Sequence, residues 1–95
     1  MASIMIPDKG AIVITEEGKT SELIPNNGET FSLKELQEVV GGYIEIVAIS
    51  AFPNKILVVD EEGRWRNKRP NLQATALVGR EIVGQVLLID KSQMN

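Results

Sequence analysis

Ser32-Leu33-Lys34-Glu35-Leu36-Gln37-Glu38-Val39-Val40-Gly41-Gly42 runs directly into Tyr43-Ile44-Glu45-Ile46-Val47-Ala48-Ile49, and Lys55-Ile56-Leu57-Val58-Val59-Asp60 follows a Pro53-Asn54 turn. Ser32 with Glu35 three residues on forms a capping box, in which each side chain accepts from the other residue's orphan amide. Leu33, Leu36 and Val40 recur at helical spacing as the inner side, with Lys34, Glu35 and Glu38 on the wet side. Gly41-Gly42 ends the helix, because glycine takes the left-handed cap conformation at little cost. A helix of about nine residues is too short to stand alone in water, so a sheet must hold it. The two apolar runs at 43–49 and 55–60 supply that sheet, most simply as the arms of a hairpin.

Outward from this unit, Ala11-Ile12-Val13-Ile14-Thr15 reads as a strand, turned by Glu16-Glu17-Gly18-Lys19 and paired back by Thr20–Ile24. Ser3–Ile6 adds a short edge strand before the Pro7-Asp8-Lys9-Gly10 turn. Pro25-Asn26-Asn27-Gly28-Glu29 is a loop of strong turn formers. On the other side, Asn71 is the N-cap of a second helix with Leu72, Thr75, Ala76 and Val78 inward and Gly79 as its stop. Ile82–Ile89 is a further core strand in which Gly84 marks a bulge or a close backbone approach. Asp90–Asn95 reads as a frayed polar tail. The expectation is a single α+β domain over 1–95, a mainly antiparallel sheet of about five strands with two short helices in the order β-β-α-β-β-α-β.

In three strands, at 43–49, 55–60 and 82–89, apolar residues fall on both faces, which implies that both faces are covered. Two short helices laid on one face leave the other bare, so the pattern predicts a homo-oligomer in which a second copy covers the remaining face or an edge. The competing reading is a curled sheet that covers itself.

Composition narrows the chemistry. The 95 residues are 43% hydrophobic and 24% charged, with neither His nor Cys and a net charge of −3. The usual general base, a thiol nucleophile and most zinc sites are thereby removed. Glu16-Glu17 and Glu61-Glu62, the closest acidic pairs, each precede Gly and read as solvated hairpin turns rather than catalytic dyads. Met1–Pro7 shows neither a basic start nor a long apolar segment, and no run approaches about 18 apolar residues, so neither a secretory signal nor a membrane span is expected. These features predict a cytoplasmic protein that is not an enzyme and carries no cofactor and no metal.

Charge is unevenly placed. Residues 64–80 hold Arg64, Arg66, Lys68, Arg69 and Arg80 without an acid, so the remainder carries five bases against thirteen acids, a net −8. A guanidinium fork grips phosphate bidentately, which makes this segment a candidate anion site. Asn71 and the amides opening the second helix would add an anion-binding helix N-terminus. Trp65, the only tryptophan, or Tyr43 could stack on a base. Under the competing reading, the arginines lie on a solvated strand face paired with Glu61, Glu62 and Glu81, and Trp65 belongs to the core.

Val40-Gly41-Gly42-Tyr43-Ile44-Glu45, Val59-Asp60-Glu61-Glu62-Gly63, Asn71-x-x-Ala74-Thr75-x-Leu77 and Ile82-Val83-Gly84-Gln85-Val86 occur in this order across residues 32–89. In that pattern the chain resembles a family of small phage and plasmid proteins catalogued only as a domain of unknown function. It departs from it at Lys68-Arg69 before Pro70, where the family often carries an uncharged residue. The resemblance implies a mobile-element origin, and by analogy with other small phage proteins it implies action by binding, including sequestration of a host defence's nucleotide signal.

Three functions follow as expectations. The leading one is a homo-oligomeric binder that sequesters a small phosphate-bearing nucleotide, with Arg64, Arg66, Lys68 and Arg69 on phosphate, Asn71 orienting it and Trp65 or Tyr43 on the base. The second is an inhibitor that docks its basic face on an acidic host protein, which an exposed Phe52 or Trp65 would favour. The third, a nucleic-acid-associated accessory protein, fits less well, because one short patch opposes a body of −8.

Overall fold

A computed structural model describes residues 11–94; the strand expected at Ser3–Ile6 and the turn after it lie outside these residues. The elements are β1 (Ala11–Ile14), β2 (Thr20–Leu23), α1 (Leu33–Val40), β3 (Ile44–Ala48), β4 (Lys55–Asp60), α2 (Leu72–Val78) and β5 (Val86–Asp90), followed by a 3₁₀ turn at Lys91–Gln93. The five strands form one sheet in the order β2-β1-β5-β4-β3, and every neighbouring pair is antiparallel. This is the α+β fold and element order that the sequence predicts. Among the described residues, no helix is long and apolar enough to cross a membrane.

Local chemistry explains the boundaries. The Ser32 hydroxyl accepts from Glu35 N at 3.1 Å, while Glu35 Oε1 accepts from Ser32 N at 3.0 Å, the reciprocal capping box. Glu35 Oε2 also accepts from Asn26 N at 2.8 Å, so one carboxylate ties the preceding loop to the helix. Gly41 closes α1 in the left-handed conformation (φ 79°), with its amide on Gln37 O. The β1–β2 hairpin turns through Gly18, and Thr15 N donates to Lys19 O at 2.9 Å.

Strand parity divides the core in two. Ile12, Ile14, Leu57, Val59, Val86 and Leu88 point to one side and pack under Ala74, Leu77 and Val78 of α2. Ala11, Ile56, Val58, Leu87 and Ile89 point to the other and meet Phe31 with Leu36 and Val40 of α1. Burying residues such as Leu36 and Val40 contributes roughly 1.5–3 kcal/mol each, which is what holds so short a helix. Each helix therefore covers its own face. The sequence reading put both helices on one face and had a second copy cover the other face or an edge. Because the β2–β3 and β4–β5 connections cross opposite faces, the uncovered face disappears.

Other expectations are corrected. Leu33 and Leu72, assigned inward, are 57% and 76% exposed. Leu33 is the first residue of α1, one turn before the buried Leu36, and Leu72 is the first of α2, two residues before the buried Ala74 and so on the opposite side of the helix. Ala76 is exposed as well. The last strand begins at Val86 rather than Ile82, because Gly84 has φ +81° and takes the chain out of the ladder. Glu61-Glu62-Gly63 is not a hairpin turn, since β4 leads into the connection to α2. The segment after β5 does not fray within the described residues: Gln93 is buried, Phe31 N donates to Gln93 O at 2.7 Å, and Phe31 bridges Met94.

Candidate functional site

Antiparallel pairing brings the ends of β1 and β4 and the starts of β2, β3 and β5 to one end of the sheet. The basic segment lies there. Its course is set by Asp60, the last residue of β4, which shares the α1 side with Ile56 and Val58 by strand alternation. Asp60 Oδ1 accepts from Glu62 N at 2.8 Å. Its Oδ2 lies 2.6 Å from Lys68 Nζ and 3.8 Å from Arg66 Nε. Burial alone would raise the Asp60 pKa, but the hydrogen bond from Lys68, the Glu62 amide and the charges of Lys68 and Arg66 together hold it below the usual carboxylate value.

Between these groups the chain makes a tight turn. Arg66 N donates to Glu62 O, Asn67 N to Arg64 O and Lys68 N to Gly63 O, each at 3.2 Å. Gly63 is needed for close packing, because a Cβ there would stand 2.8 Å from Val83 Cγ2. Asn67 takes φ +56°, a region that asparagine tolerates better than most residues. That reversal turns Lys68 inward. Lys68 Nζ donates to Val40 O, and Arg66 Nη1 donates to Gly41 O at 2.9 Å. The last turn of α1 has no basic residue of its own; the loop supplies two cations to its carbonyls, where they also oppose the negative end of the helix dipole.

The residues of the proposed anion site therefore separate. Arg66 and Lys68 face Asp60 and the end of α1, and Arg66 Nη2 also lies 3.7 Å from Glu62. Asn71 is fully buried as the N-cap of α2, accepting from Ala74 N at 3.0 Å and donating to Gly84 O at 2.8 Å and Ile14 O at 3.1 Å. Its three bonds are all internal, so it offers a ligand nothing. Tyr43 is 63% exposed, but it does not line the cleft that Trp65 lines. Arg69 is exposed and, among the described residues, forms no ion pair.

What remains together is Arg64, Trp65 and Arg80, a cation of the basic segment that the expected set of ligand contacts left out. They border a cleft of about 270 Å³ floored by Val59, Gly63, Ile82 and Val83. Arg64 lies 3.4 Å from Glu81, and Arg80 Nη2 lies 2.8 Å from Glu45 Oε2. Both pairs are largely in water, where such contacts contribute at most about 1 kcal/mol. The lining holds four acids (Glu45, Asp60, Glu61 and Glu81) against these two arginines. Trp65 is 87% exposed at the apex of the turn. The competing reading is thus half met: Arg64 and Arg66 pair with Glu81 and Glu62, yet the tryptophan is not core.

The model of the family described as Domain of unknown function (DUF3846) matches residues 10–94. The chain belongs to this family. No curated protein and no solved structure matches the chain, so membership brings no assigned activity. The matched span takes in every described strand and helix, together with Asp60, the 62–68 turn and the capped α2.

Asp60 is the residue that sequence reasoning placed at the end of the 55–60 strand and gave no part in the site. A signal was present: an aspartate at even parity with Ile56 and Val58 in an apolar strand must point where those residues point.

Proposed function

We propose that this protein is a non-catalytic binding protein, and that it docks the Glu62–Arg69 turn, with Trp65 at its apex, on an acidic surface of a partner protein. The exposure of Trp65 carries the reading. The turn is held by Asp60, Lys68 and its own backbone bonds, so the indole is not needed to fold it. Leaving so large an apolar group in water forgoes roughly 2 kcal/mol or more of burial. Tryptophan and arginine are the side chains that most often anchor protein interfaces. Arg64 precedes the indole in the turn and the exposed Arg69 ends it, and both guanidinium groups can pair with an acidic partner. Given the phage or plasmid origin that the resemblance implies, the partner is a protein of the host cytoplasm.

A second reading keeps a small phosphate-bearing nucleotide, sequestered against a host defence, as the ligand. The cleft beneath Trp65, with Arg64 and Arg80 on its walls, favours it. The carboxylates of Glu45, Glu61 and Glu81 in the same lining count against an anion, while that of Asp60 is turned to the α1 side and held by Lys68.

Two measurements separate these readings. A tagged protein retrieved from host cells should bring down a defined partner that is lost with Trp65→Ala or Arg69→Glu and at high salt. Native mass spectrometry of the same material should show no added small-molecule mass. An added mass of nucleotide size, lost with Arg64→Glu and Arg80→Glu, would replace the first reading with the second. A partner retained by Trp65→Ala would remove Trp65 from the site.

A further inference from the structure

Among the described residues the sheet has two outer edges, β2 and β3, and they differ. β2 reads Thr20-Ser21-Glu22-Leu23 after Lys19, a polar edge of the kind that discourages pairing with another chain. β3 reads Ile44-Glu45-Ile46-Val47-Ala48, pairs with β4 at every position without a bulge, and contains neither lysine nor proline. Ile46 is 48% exposed and Ala48 is exposed, so apolar side chains border this edge.

The register decides what can join it. Glu61 N donates to Tyr43 O at 2.8 Å, which makes these two residues a hydrogen-bonded pair at the end of the β3–β4 ladder. By alternation Glu45 and Val47 also bond to β4, and the amides and carbonyls of Ile44, Ile46 and Ala48 point outward. We propose that this edge pairs with the same edge of a second copy, antiparallel about a two-fold axis at Ile46, so that the two sheets become one.

The axis at Ile46 matches all three outward residues. Ile46 meets its own counterpart, and Ile44 of each copy meets Ala48 of the other, for about six hydrogen bonds in alternating pairs. On the α1 side the facing residues are all apolar, the kind of cross-strand pair that stabilises a sheet. On the α2 side Glu45 stands opposite Val47, so like charges do not face each other directly. Moving the axis to Glu45 would oppose two carboxylates, and moving it to Val47 would lose a pair of hydrogen bonds. The edge is thus self-complementary in hydrogen bonding, charge and apolar surface at one register. An isologous contact requires that of a second copy. The exposed Tyr43 is carried beside the Ser50–Phe52 turn of the second copy. A contact confined to one strand pair is small, so the dimer forms reversibly with concentration. This inference does not depend on the role of the Trp65 turn.

Sedimentation velocity from micromolar to near-millimolar concentration tests it on the full chain, with far-UV circular dichroism to check folding. The wild type should shift from monomer to dimer. Ala48→Pro removes an outward amide that no described residue accepts from, and should raise the dimer dissociation constant roughly ten-fold or more while the monomer stays folded. If that variant unfolds, Ile46→Lys, which sets two ammonium groups at the axis, takes its place with the same expected loss. Ile46→Cys in this chain without native cysteine should cross-link under mild oxidation, because Cα atoms in such a pair lie about 5.5 Å apart. Ser21→Cys on the β2 edge should not. A monomer at every concentration overturns the proposal, as does a dimer indifferent to Ala48→Pro or Ile46→Lys that Ile46→Cys fails to cross-link.

Discussion

Lys68 Nζ stands 2.6 Å from Asp60 Oδ2, and the same ammonium donates to Val40 O at the end of α1. One cation thus joins the end of a core strand to the end of the helix packed on its face. The Asp60 side chain has no exposure and that of Lys68 has 20%, so removing one partner leaves the other without its counter-charge in a poorly solvated place. Asp60→Asn should lower stability to urea by about 2–3 kcal/mol. Lys68→Met should cost less in the Asp60→Asn background than alone, because the two residues share one interaction. Additive losses would show that the pair does not act as a unit.

Stability should fall on the acid side. Glu35 is held below its ordinary pKa by the amides of Ser32 and Asn26, Asp90 by the amide and side chain of Ser92, and Asp60 by Lys68 and its neighbours against the opposing effect of burial. A carboxylate whose pKa is lower in the folded state stabilises the fold fully above its unfolded value. That contribution is lost as pH falls through the folded value. With no histidine or cysteine in the chain, the thermal midpoint should be nearly level from about pH 6 to 8 and drop as pH falls through about 4 and below. Asp60→Asn should make the acid limb shallower.

Asn71 separates capping from bridging. Aspartate caps a helix as well as asparagine does, but it cannot donate to Ile14 O and Gly84 O as the Asn71 amide does. Asn71→Asp should therefore destabilise by about 2–4 kcal/mol, at least as much as Asn71→Ala, since it turns a carboxylate toward two carbonyl oxygens. Were Asn71→Asp as stable as the wild type, the bridge would contribute nothing.

Trp65 can be read directly, because it is the only tryptophan. Its fluorescence should have the red-shifted emission of an indole in water and be open to acrylamide quenching, and unfolding should change it little. Trp65→Ala should alter stability by no more than about 0.5 kcal/mol, as surface substitutions do. A blue-shifted, protected signal would place the indole against another surface.

The helices and hairpins were legible because their determinants are local. Ser32 and Glu35 are three residues apart, Asn71 and Gly79 bracket one short helix, and the 43–60 hairpin needs only its own turn. The site was less legible. Whether Arg66 and Lys68 face solvent or protein depends on the positive φ of Asn67 and on carbonyls at Val40 and Gly41, more than twenty residues earlier in the chain. Charge counting saw five cations in one segment but could not see which were already answered by Asp60, Glu62, Glu81 and Glu45. The assignment of helices to faces failed for a related reason, since it depends on which connection crosses which side.

β5, the last of the described strands in the chain, lies between β1 and β4 at the centre of the sheet. During synthesis the β1–β2 and β3–β4 hairpins emerge first, each with one apolar strand waiting for the same missing neighbour. Neither face of the core can close until Val86–Ile89 leaves the ribosome and is inserted. Folding is thus a late event with long-range pairings, which slows it relative to a chain whose strands pair in order. In the interval two unfinished sheet edges are open to pairing with other chains, a hazard that grows with expression rate.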